Sequence, residues 1–500
     1  MHLARPAKPL RYDVLTAFGF KPDASPSVLF RSLQHPLLCA LLCPSSMKMF
    51  GTNGIRGVVN GYMTAELALK VGKSIAKVLG PGTIAVAKDT RTSADMVSCA
   101  VEAGLLSMGA DVADLGMVPT PALQYYVKTH PDVVAGVMIT ASHNPPEFNG
   151  IKCVSSDGTE CSHEEEAAIE DAYESEIACP GWDGVGSVRR VSDAGEAYVD
   201  AVVRNVDVRA VREAGLKVCL DCSNGAASQT TPLLMKRLGV RAVAINASQD
   251  GRFPGHYSEP TESNLEDLKR LVVETGSDLG IAHDGDADRC VFVTGSGRFV
   301  PGDLSLAILG RSAVKRNGGG EVVTTVATSC VVEEAVKSVG GNVAYTAVGS
   351  PVVARRMIEG GSIFGGEENG GLIFADHQFC RDGAMSAAKM LEAVASGGSL
   401  DEQVDSLPRF YTIKAAVECP DDLKGAVIKE IARRCEGGRL NQKDGLRIDY
   451  DDGWVLLRPS GTEPKFRVYS ESRDEKVAKE RSERFLAMAS DAKESVEGDR

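Results

Sequence analysis

The sequence predicts an α/β fold made of several domains. From about Met49 onward, apolar runs of strand length alternate with amphipathic stretches of helical length, a pattern typical of sheets covered by helices. The chain has 500 residues, more than a single core usually supports, and its apolar content of 43% is enough to give each domain a core. We therefore expect a multidomain globular protein of the α/β class.

The first alternating set lies in the N-terminal third of the chain. Its apolar pattern predicts a strand over 83–87, a helix over 93–108 and a strand over 133–139 that ends at a polar turn. Ser162, with Glu165 three residues later, predicts a capping box that opens an acidic helix. We interpret the acidic run in that helix as a solvated face.

A second and a third set follow with the same alternation. The second predicts a strand over 216–221, a helix over 231–238 and then an aspartate-rich loop. The third, over 322–374, predicts strand, helix, strand, helix, with a polar turn at 365–371 near its end. These two sets extend the α/β pattern through the middle of the chain.

The segment after Pro408 is different. Apolar strands are predicted around Ile413, at 445–450 and at 454–458, and a charged helix is predicted over 475–493. Strands followed by a helix, without regular alternation, indicate a smaller α+β unit at the C-terminus.

Residues 1–46 differ in composition from the rest of the chain, with at least five prolines and few acidic residues. We expect them to form a disordered extension, because ordered sequence begins directly after Met47 and Met49. A mis-assigned start codon is one explanation, and a targeting peptide is the weaker one.

Composition excludes some classes of partner. The net charge of −13 and the aromatic content of 5% argue against nucleic-acid binding, so we expect a small-molecule ligand. No stretch approaches the roughly 20 apolar residues that span a bilayer, so we expect no membrane contact. Thirteen scattered cysteines favour a reducing cytoplasm. We interpret Cys219 and Cys222 as buried strand thiols rather than zinc or redox ligands.

The most informative motif is Asp-Gly-Asp-Ala-Asp-Arg at residues 284–289. It places carboxylates at every second position among small residues, and the apolar stretches on both sides predict a loop that joins two short strands. The oxygens of Asp284, Asp286 and Asp288 suit Mg²⁺, which often completes its shell with a phosphate oxygen. An empty acidic turn is the alternative. The loop therefore indicates phosphoryl chemistry.

A second motif, Thr-Ala-Ser-His-Asn-Pro-Pro, begins directly after the strand predicted over 133–139. A hydroxyl on a tight turn after a buried strand is well placed to act as an exposed nucleophile, so Ser142 is the candidate. Phosphoryl transfer through Ser142 would need cations and a base. The alternative is an ordinary Asn-Pro turn in which Ser142 and His143 form local hydrogen bonds.

Two further motifs predict ligand contacts. Arg-Pro-Ser-Gly-Thr-Glu-Pro at 458–464 presents an arginine, two hydroxyls and backbone amides around a glycine, which suits a phosphate. A structural turn could use the same Pro-Ser-Gly, but it would not need the arginine. In the turn at 365–371, carboxylates and an amide are able to bind sugar hydroxyls in pairs.

These four motifs, in this order, resemble those of the α-D-phosphohexomutase superfamily, from Phe50 to the C-terminal helix. The resemblance implies three similar α/β domains with mixed sheets and a smaller α+β domain round a central cleft. The boundaries that follow are 47–200, 201–299, 300–407 and 408–500. Family members interconvert hexose 1-phosphates and 6-phosphates, so we expect hexose phosphates as ligands, one Mg²⁺ per chain and a hexose 1,6-bisphosphate as activator.

The resemblance also implies residue roles. Ser142 would carry the phosphoryl group and share the metal with Asp284, Asp286 and Asp288. The non-reacting phosphate would be held by Arg458, Ser460, Gly461 and Thr462, and the ring hydroxyls would be read by Glu367 and Asn369. The positions that match family groups steering charge and protons are Arg56, Lys152 and Arg289.

The proton carrier is less clear from the sequence. A lysine near phosphoserine and an arginine can have a lowered pKa and act as a general acid or base. Many bacterial relatives have histidine where this chain has Gly371 and serine where it has Asn369, so a loop histidine is missing. Proton transfer would then depend on Lys152, His143 or His377.

Sugar preference and enzyme class leave alternatives. Phe-Gly-Thr-Asn-Gly-Ile-Arg-Gly is similar to phosphoglucosamine mutases, whereas the other motifs are as similar to phosphomannomutases and phosphoglucomutases. We favour glucosamine phosphate slightly, with Glu368 as a carboxylate for an ammonium group. A metal-dependent sugar phosphatase would need an open cleft, and a non-catalytic sensor would not need Ser142 or the aspartates.

Overall fold

The computed structural model describes residues 49–51, 53–435, 437–460 and 464–498. The described residues from Phe50 onward belong to one compact unit. The extension predicted over residues 1–46 lies outside the described residues. Within the described part of the chain, no helix is long and apolar enough to cross a membrane.

The first sheet has six strands in the order β1-β5-β4-β2-β3-β6 and carries the Ser142 turn. Strands β4, β2, β3 and β6 run parallel to one another. Strand β5 pairs antiparallel with β4, and β1 pairs antiparallel with β5. The strands are β1 (Ile55–Val58), β2 (Thr83–Lys88), β3 (Asp111–Met117), β4 (Val133–Ile139), β5 (Phe148–Ser155) and β6 (Val188–Arg190). The helices are α1 (Ala65–Leu79), α2 (Ala94–Ser107), α3 (Thr120–Thr129) and α4 (His163–Glu174).

The predicted elements of this domain are confirmed to within one residue at their ends. The capping box is also present: the Ser162 hydroxyl accepts from the Glu165 amide, and the Glu165 carboxylate accepts from the Ser162 amide. Such reciprocal bonds satisfy two amides that the helix itself leaves unpaired. They fix the start of α4 after the hairpin that contains Glu160.

The second sheet has the order β11-β10-β9-β7-β8 and carries the aspartate loop. Its strands are β7 (Lys217–Asp221), β8 (Arg241–Ile245), β9 (Leu279–His283), β10 (Cys290–Thr294) and β11 (Phe299–Val300). The helices are α5 (Ala194–Arg204), α6 (Val208–Ala214), α7 (Ala227–Leu238) and α8 (Glu266–Thr275). Helix α7 begins four residues before the predicted start, because its first turn is buried at Ala227 and Thr230 although Pro232 lies inside it. Cys219 and Cys222 are buried free thiols, as predicted.

The third sheet has the order β13-β12-β14-β15-β16. Its strands are β12 (Glu321–Thr325), β13 (Asn342–Thr346), β14 (Phe364–Gly366), β15 (Leu372–Phe374) and β16 (Gln378–Arg381). The helices are α9 (Gly302–Asn317), α10 (Cys330–Lys337), α11 (Ser350–Gly360), α12 (Gly383–Gly397) and α13 (Leu400–Asp405). The polar turn predicted at 365–371 connects the antiparallel strands β14 and β15.

The C-terminal domain is a five-stranded antiparallel sheet with two helices. Its spatial order is β17-β21-β20-β19-β18. The strands are β17 (Tyr411–Glu418), β18 (Arg439–Asn441), β19 (Leu446–Tyr450), β20 (Gly453–Pro459) and β21 (Lys465–Ser472), and the helices are α14 (Lys424–Arg434) and α15 (Glu475–Gly498). The smaller α+β unit is thus confirmed, with β18, β21 and α14 as elements that the sequence pattern did not indicate.

The first three domains share one buried apolar core. Tyr126, Tyr198, Leu234 and Met385, which come from helices of all three, belong to the same cluster. The C-terminal domain has a core of its own that includes Phe466. Because dense packing resists sliding, the loops that the first three domains contribute are held in a fixed arrangement.

Candidate active site

The aspartate loop connects β9 to β10, as predicted, and all three aspartates are buried. One carboxylate oxygen from each of Asp284, Asp286 and Asp288 lies within 4.8 Å of the others. The first domain supports the loop: the amide and hydroxyl of Thr120, at the start of α3, donate to the carbonyl and the Oδ2 atom of Asp286, at 3.0 and 2.6 Å. The loop is therefore positioned by two domains.

The carboxylate oxygens of this loop are only partly satisfied. Asp284 accepts from the Arg289 amide at 3.1 Å and from the Ser142 hydroxyl at 2.9 Å. Among the described residues, however, the Oδ1 atoms of Asp286 and Asp288 are buried without any hydrogen-bond partner. Buried unpaired carboxylate oxygens are costly, and a hard cation would satisfy them. The three carboxylates therefore fit a metal site.

The charges of the loop lead to the same conclusion. Burial, together with the neighbouring charges of Asp288 and Asp286, raises the pKa of Asp284 well above its usual range. Burial also acts to raise the pKa of Asp286, but the Lys152 ammonium, the Thr120 hydroxyl and the Arg381 charge together outweigh it and hold that pKa low. Three carboxylates this close cannot all ionise easily unless a cation neutralises them.

The Ser142 turn brings the predicted nucleophile onto the aspartate loop. Ser142 is fully buried and has a left-handed φ of 52°, and its amide is held by the Thr140 hydroxyl at 2.8 Å. Its Oγ atom donates to Asp284 at 2.9 Å and lies 3.3 Å from the Nδ1 atom of His143. Strained backbone at a polar contact of this kind is typical of functional turns.

A buried arginine that we did not predict holds this turn in place. Arg91 pairs with Asp89 at 3.1 Å, and its guanidinium donates to four carbonyls of the turn and its flank. The four acceptors are Ser142, Asn144, Pro145 and Phe148. The signal in the sequence was Asp-Thr-Arg directly after β2, a polar motif at the end of a buried strand.

Two of the predicted proton carriers have shifted pKa values. Burial, reinforced by the positive charges of Arg289 and Arg56, lowers the pKa of His143 to about 3, so its imidazole is neutral at pH 7. Lys152 differs from the expectation that its pKa is lowered. Burial does act in that direction, but Asp286 and Asp288, at 2.6 and 3.1 Å, outweigh it and raise the pKa. Lys152 is thus a firmly held cation in this arrangement.

The third predicted proton carrier lies elsewhere. His377 is stacked on Tyr125 with ring centroids 5.4 Å apart, and its Nε2 atom lies 3.3 Å from Asp382. Asp382 also accepts from Tyr198 and caps α12 through the Met385 amide. These contacts belong to the packing between domains, so the structure does not bring His377 to Ser142.

Two positively charged side chains, Arg56 and Arg289, lie beside the aspartate loop. Arg56 donates to Asn144 at 3.1 Å, and the Nε atom of Arg289 lies 3.9 to 4.0 Å from Asp288 and Asp284. Within the described part of the chain, the Nε atoms of both arginines are buried and lack a hydrogen-bond partner. Unpaired guanidinium donors next to a metal site suit the oxygens of a phosphoryl group.

The turn at 365–371, predicted to bind sugar hydroxyls, is ordered by its own backbone. Glu367 is buried, its amide donates to the Gly371 carbonyl at 3.0 Å, and its Oε1 atom accepts from the Gly349 amide at 3.0 Å. Asn369 accepts from the Gly371 amide at 3.0 Å. Burial raises the pKa of Glu367, and the Arg381 charge only partly opposes this. Glu367 and Asn369 thus lie on one turn, as predicted.

The predicted phosphate segment is partly described. Arg458 donates through Nε to Asp444 at 2.7 Å, and the same Asp444 oxygen accepts from the Val348 amide at 3.0 Å. Ser460 accepts through its carbonyl from Lys424. Gly461 and Thr462 lie outside the described residues. Because Val348 precedes Gly349, whose amide donates to Glu367, Asp444 links Arg458 to the turn at 365–371.

Comparison with known proteins identifies the domains of one family between residues 47 and 488. Residues 47–178, 196–297 and 301–411 match the phosphoglucomutase/phosphomannomutase alpha/beta/alpha domains I, II and III, and residues 413–488 match the C-terminal domain. The matches follow the four sheets in order. The fold prediction of three similar α/β domains and a C-terminal domain is therefore confirmed.

Individual relatives agree with this assignment. The chain is 42% identical to a probable phosphoglucosamine mutase of Methanopyrus kandleri, over 90% of this chain and 99% of that protein. It is 41% identical to a phosphoglucomutase/phosphomannomutase of Thermococcus kodakarensis, over 89% and 99%. A crystal structure of a phosphoglucomutase/phosphomannomutase family protein from Burkholderia thailandensis superposes with a TM-score of 0.80 at 26% identity, covering 90% and 98%. The chain belongs to the phosphoglucomutase/phosphomannomutase family.

Proposed function

We propose that this chain is a phosphohexomutase that interconverts glucosamine 6-phosphate and glucosamine 1-phosphate through a phosphoserine at Ser142 and a bisphosphate intermediate. One observation carries the proposal: the Ser142 hydroxyl lies 2.9 Å from Asp284, inside a carboxylate cluster bordered by unpaired arginine donors. Such a site supplies the cation and the anion contacts that phosphoryl transfer through a serine requires. The family assignment supports an isomerase that acts by intramolecular phosphoryl transfer.

In the proposed mechanism, Asp284, Asp286 and Asp288 would hold one Mg²⁺ beside Ser142. When bound, the ion neutralises charge on the transferring phosphoryl group. The Nε atoms of Arg56 and Arg289, which have no hydrogen-bond partner among the described residues, bind the same group. The Lys152 ammonium contacts the Oδ2 atoms of Asp286 and Asp288, so its role is electrostatic.

Each half-reaction moves one phosphoryl group. The phosphorus–oxygen bond at Ser142 breaks as a bond forms to the free sugar hydroxyl; that hydroxyl loses its proton to solvent, and the Ser142 oxygen takes up a proton. The second half-reaction reverses these steps and returns the opposite phosphate to Ser142. His143 is placed to exchange the proton of the Ser142 hydroxyl, because its Nδ1 atom lies 3.3 Å away. The arginine charges contribute to its low pKa, and an incoming phosphate would neutralise them and make the imidazole more basic.

The other end of the sugar is held by the C-terminal domain. Arg458, Ser460, Gly461 and Thr462 bind the non-reacting phosphate, and Glu367 with Asn369 binds ring hydroxyls. Asp444 orients Arg458 through a 2.7 Å contact. A hexose 1,6-bisphosphate primes Ser142 by donating its phosphoryl group.

The eleven cysteines of the described chain are all free thiols, which favours a reducing cytoplasm.

Glucosamine phosphate is the sugar that the relatives favour, since several carry the name phosphoglucosamine mutase. Glu368 contributes less to this choice than the sequence indicated. Its carboxylate accepts from the Thr325 hydroxyl at 3.4 Å and helps to raise the pKa of Asp303 to about 7, after the larger effect of burial. It therefore has a role inside the third domain.

A phosphatase and a non-catalytic sensor remain the rival functions. In a phosphatase, water would attack the phosphoserine, and Arg458, which Asp444 orients at 2.7 Å, would have no second phosphate to bind. A sensor would not need a serine in contact with a metal-binding carboxylate. Both observations favour the mutase.

The substrate is tested by incubating the full chain with Mg²⁺, a trace of hexose bisphosphate, and glucosamine, mannose or glucose 6-phosphate in separate reactions. We expect glucosamine 1-phosphate to form with a kcat/KM at least about tenfold above that of the other sugars, because one altered contact in a binding site changes kcat/KM by about that factor. Phosphorus NMR follows each product. A preference for mannose or glucose would overturn the substrate but leave the mutase intact, and release of inorganic phosphate would indicate a phosphatase.

Replacing the phosphate-binding arginine tests the remote end of the site. We expect Arg458→Ala to raise KM about tenfold or more and also to lower kcat, because binding of the non-reacting phosphate orients the reacting end. Steady-state kinetics with Arg439→Ala, an exposed arginine of the same domain, provide the matched control. Unchanged kinetics in Arg458→Ala would remove this segment from the site.

A further inference from the structure

One buried arginine outside the predicted set contacts carboxylates from three domains. Arg381 ends β16, and its side chain is only 6% exposed. Its Nη2 atom lies 2.6 Å from Asp288 of the second domain and 3.5 Å from Glu160 of the first. Its Nη1 atom lies 3.9 Å from Glu367 of the third domain. A planar guanidinium suits such a junction, because its donors diverge in a fixed fork.

Two of these three carboxylates belong to the candidate site. Arg381 and Lys152 share the Oδ2 atom of Asp288, which leaves the buried Oδ1 atom without a hydrogen-bond donor from the described chain and available to a cation. Glu367 accepts from Gly349 through Oε1, while its Oε2 atom faces Arg381. Outer contacts of this kind orient the groups that bind a metal or a ligand.

The third carboxylate anchors the arginine. Both oxygens of Glu160 are engaged, Oε1 by the Asn53 amide group and Oε2 by the Ser350 hydroxyl at 2.8 Å. The Ser350 contact comes from the start of α11 in the third domain. Glu160 is therefore held independently of Arg381, and its Oε1 atom lies 3.5 Å from the same Nη2 atom that contacts Asp288.

Gly371 provides the space through which this side chain passes. A Cβ atom at residue 371 would lie 2.4 Å from the Cδ atom and 3.0 Å from the Cγ atom of Arg381, and 3.1 Å from the Asn369 side chain. The φ angle of Gly371 is outside the left-handed range, so its backbone does not itself require glycine. The obstacle to a side chain there is the buried stem of Arg381, which sets this glycine apart from Gly366 and Gly370 in the same turn.

We propose that Arg381 is a positioning residue that aligns Asp288 for the metal and Glu367 for the sugar, and that residue 371 is glycine because the arginine stem crosses it. The inference extends the proposed function, since it assumes that Asp288 and Glu367 serve as metal and sugar contacts. The stem of Arg381, which comes from β16, thus occupies the space that a side chain at residue 371 would need.

Binding of Mg²⁺ alone tests the first part. We expect Arg381→Met, which keeps most of the stem and loses the charge, to raise the Mg²⁺ dissociation constant about 10- to 100-fold. Arg381→Lys should weaken binding similarly, because a lysine cannot reproduce the fork. Isothermal titration calorimetry on the full chain without sugar measures the effect. Arg356→Met is the matched control, since Arg356 forms a partly exposed ion pair with Glu321 in the same domain.

Three outcomes would overturn this part of the inference. Unchanged Mg²⁺ binding in Arg381→Met would show that Asp288 is oriented without the arginine. Tighter binding would show that Arg381 only opposes the charge of the cation. Full retention in Arg381→Lys, with loss in Arg381→Met, would show that charge matters and the fork does not.

A double-mutant cycle tests the link to Gly371. We expect Gly371→Ala to lower the melting temperature in the wild-type and Arg381→Met backgrounds, where a stem is present, and to have little effect in Arg381→Ala. Gly425→Ala is the control, because a Cβ there meets nothing within 4 Å and alanine favours helix α14. An equal loss in Arg381→Ala would overturn the pairing of these two residues.

The two proposals fail in distinguishable ways. The calorimetric and melting experiments contain no sugar phosphate, so they report on Arg381 whatever the chain catalyses. Turnover of hexose phosphates by the wild-type chain reports on the proposed function. If Arg381→Ala does not fold, the calorimetry with Arg381→Met and Arg381→Lys still decides the first part.

Discussion

Replacing Ser142 by alanine is expected to lower kcat by a factor of about 10⁴ or more while leaving hexose-phosphate binding within about threefold of the wild type. The reason is that Ser142 carries the phosphoryl group between the two ends of the sugar, whereas binding depends on Arg458 and Glu367. Initial rates of hexose-phosphate isomerisation measure kcat, and calorimetry with glucosamine 6-phosphate measures binding.

Ser98→Ala provides the control for this experiment. Ser98 is a buried serine of the same domain whose hydroxyl donates to Glu102 at 2.8 Å, so its loss tests the general effect of removing a buried hydroxyl. Activity should be retained in that variant. Substantial turnover by Ser142→Ala would show that another residue carries the phosphoryl group, and the mechanism built on this serine would be wrong.

Replacing Lys152 by methionine is expected to have the largest effect on stability. The ammonium is buried and contacts Asp286 at 2.6 Å and Asp288 at 3.1 Å, so its loss leaves two buried carboxylates short of a positive charge. Removing one partner of a buried ion pair costs about 3–5 kcal/mol. We expect a clear fall in melting temperature in the presence of a chelator, and partial recovery in saturating Mg²⁺, because the cation neutralises the same carboxylates.

Thermal melts with and without Mg²⁺ measure both effects. Lys77→Met is the control, since Lys77 lies on the exposed face of α1 and contacts the Ser175 hydroxyl. A melting temperature for Lys152→Met equal to that of the wild type without Mg²⁺ would contradict the electrostatic role of Lys152. Failure of Mg²⁺ to restore stability would indicate that the cation does not bind at these aspartates.

Local patterns predicted most of what is local in this protein. The strand over 133–139, the capping box at Ser162 and the loop between β9 and β10 depend on neighbouring residues, and the structure has them as predicted. The three-residue strands β14 and β15 are too short for an apolar period to indicate. They form because β12 and β16 flank them in the third sheet.

The site residues that the sequence did not indicate act over long distances along the chain. Arg91 binds carbonyls of the Ser142 turn, and Arg381 binds Asp288 from another domain. The pKa of Lys152 was predicted in the wrong direction for the same reason, since its carboxylate partners come from the second domain. A single sequence contains such residues but does not show which of them meet.

The arrangement explains why the site needs several domains. Thr120 and Lys152 of the first domain hold the aspartate loop of the second, and Arg381 of the third also contacts it. Asp444 connects Arg458 of the C-terminal domain to the amide of Val348. The aspartate loop, the turn at 365–371 and the segment that begins at Arg458 are therefore parts of one charged network.

The central claim is that the phosphoryl group passes through Ser142, and single-turnover phosphate mapping tests it most directly. The chain would be primed with a hexose 1,6-bisphosphate, digested, and mapped for phosphopeptides, and a parallel sample would be mixed with glucosamine 6-phosphate and Mg²⁺. We expect phosphate on Ser142 that moves to the sugar and forms a bisphosphate. Phosphate on another residue, or its release as inorganic phosphate, would show that the phosphoryl group does not pass from Ser142 to the sugar.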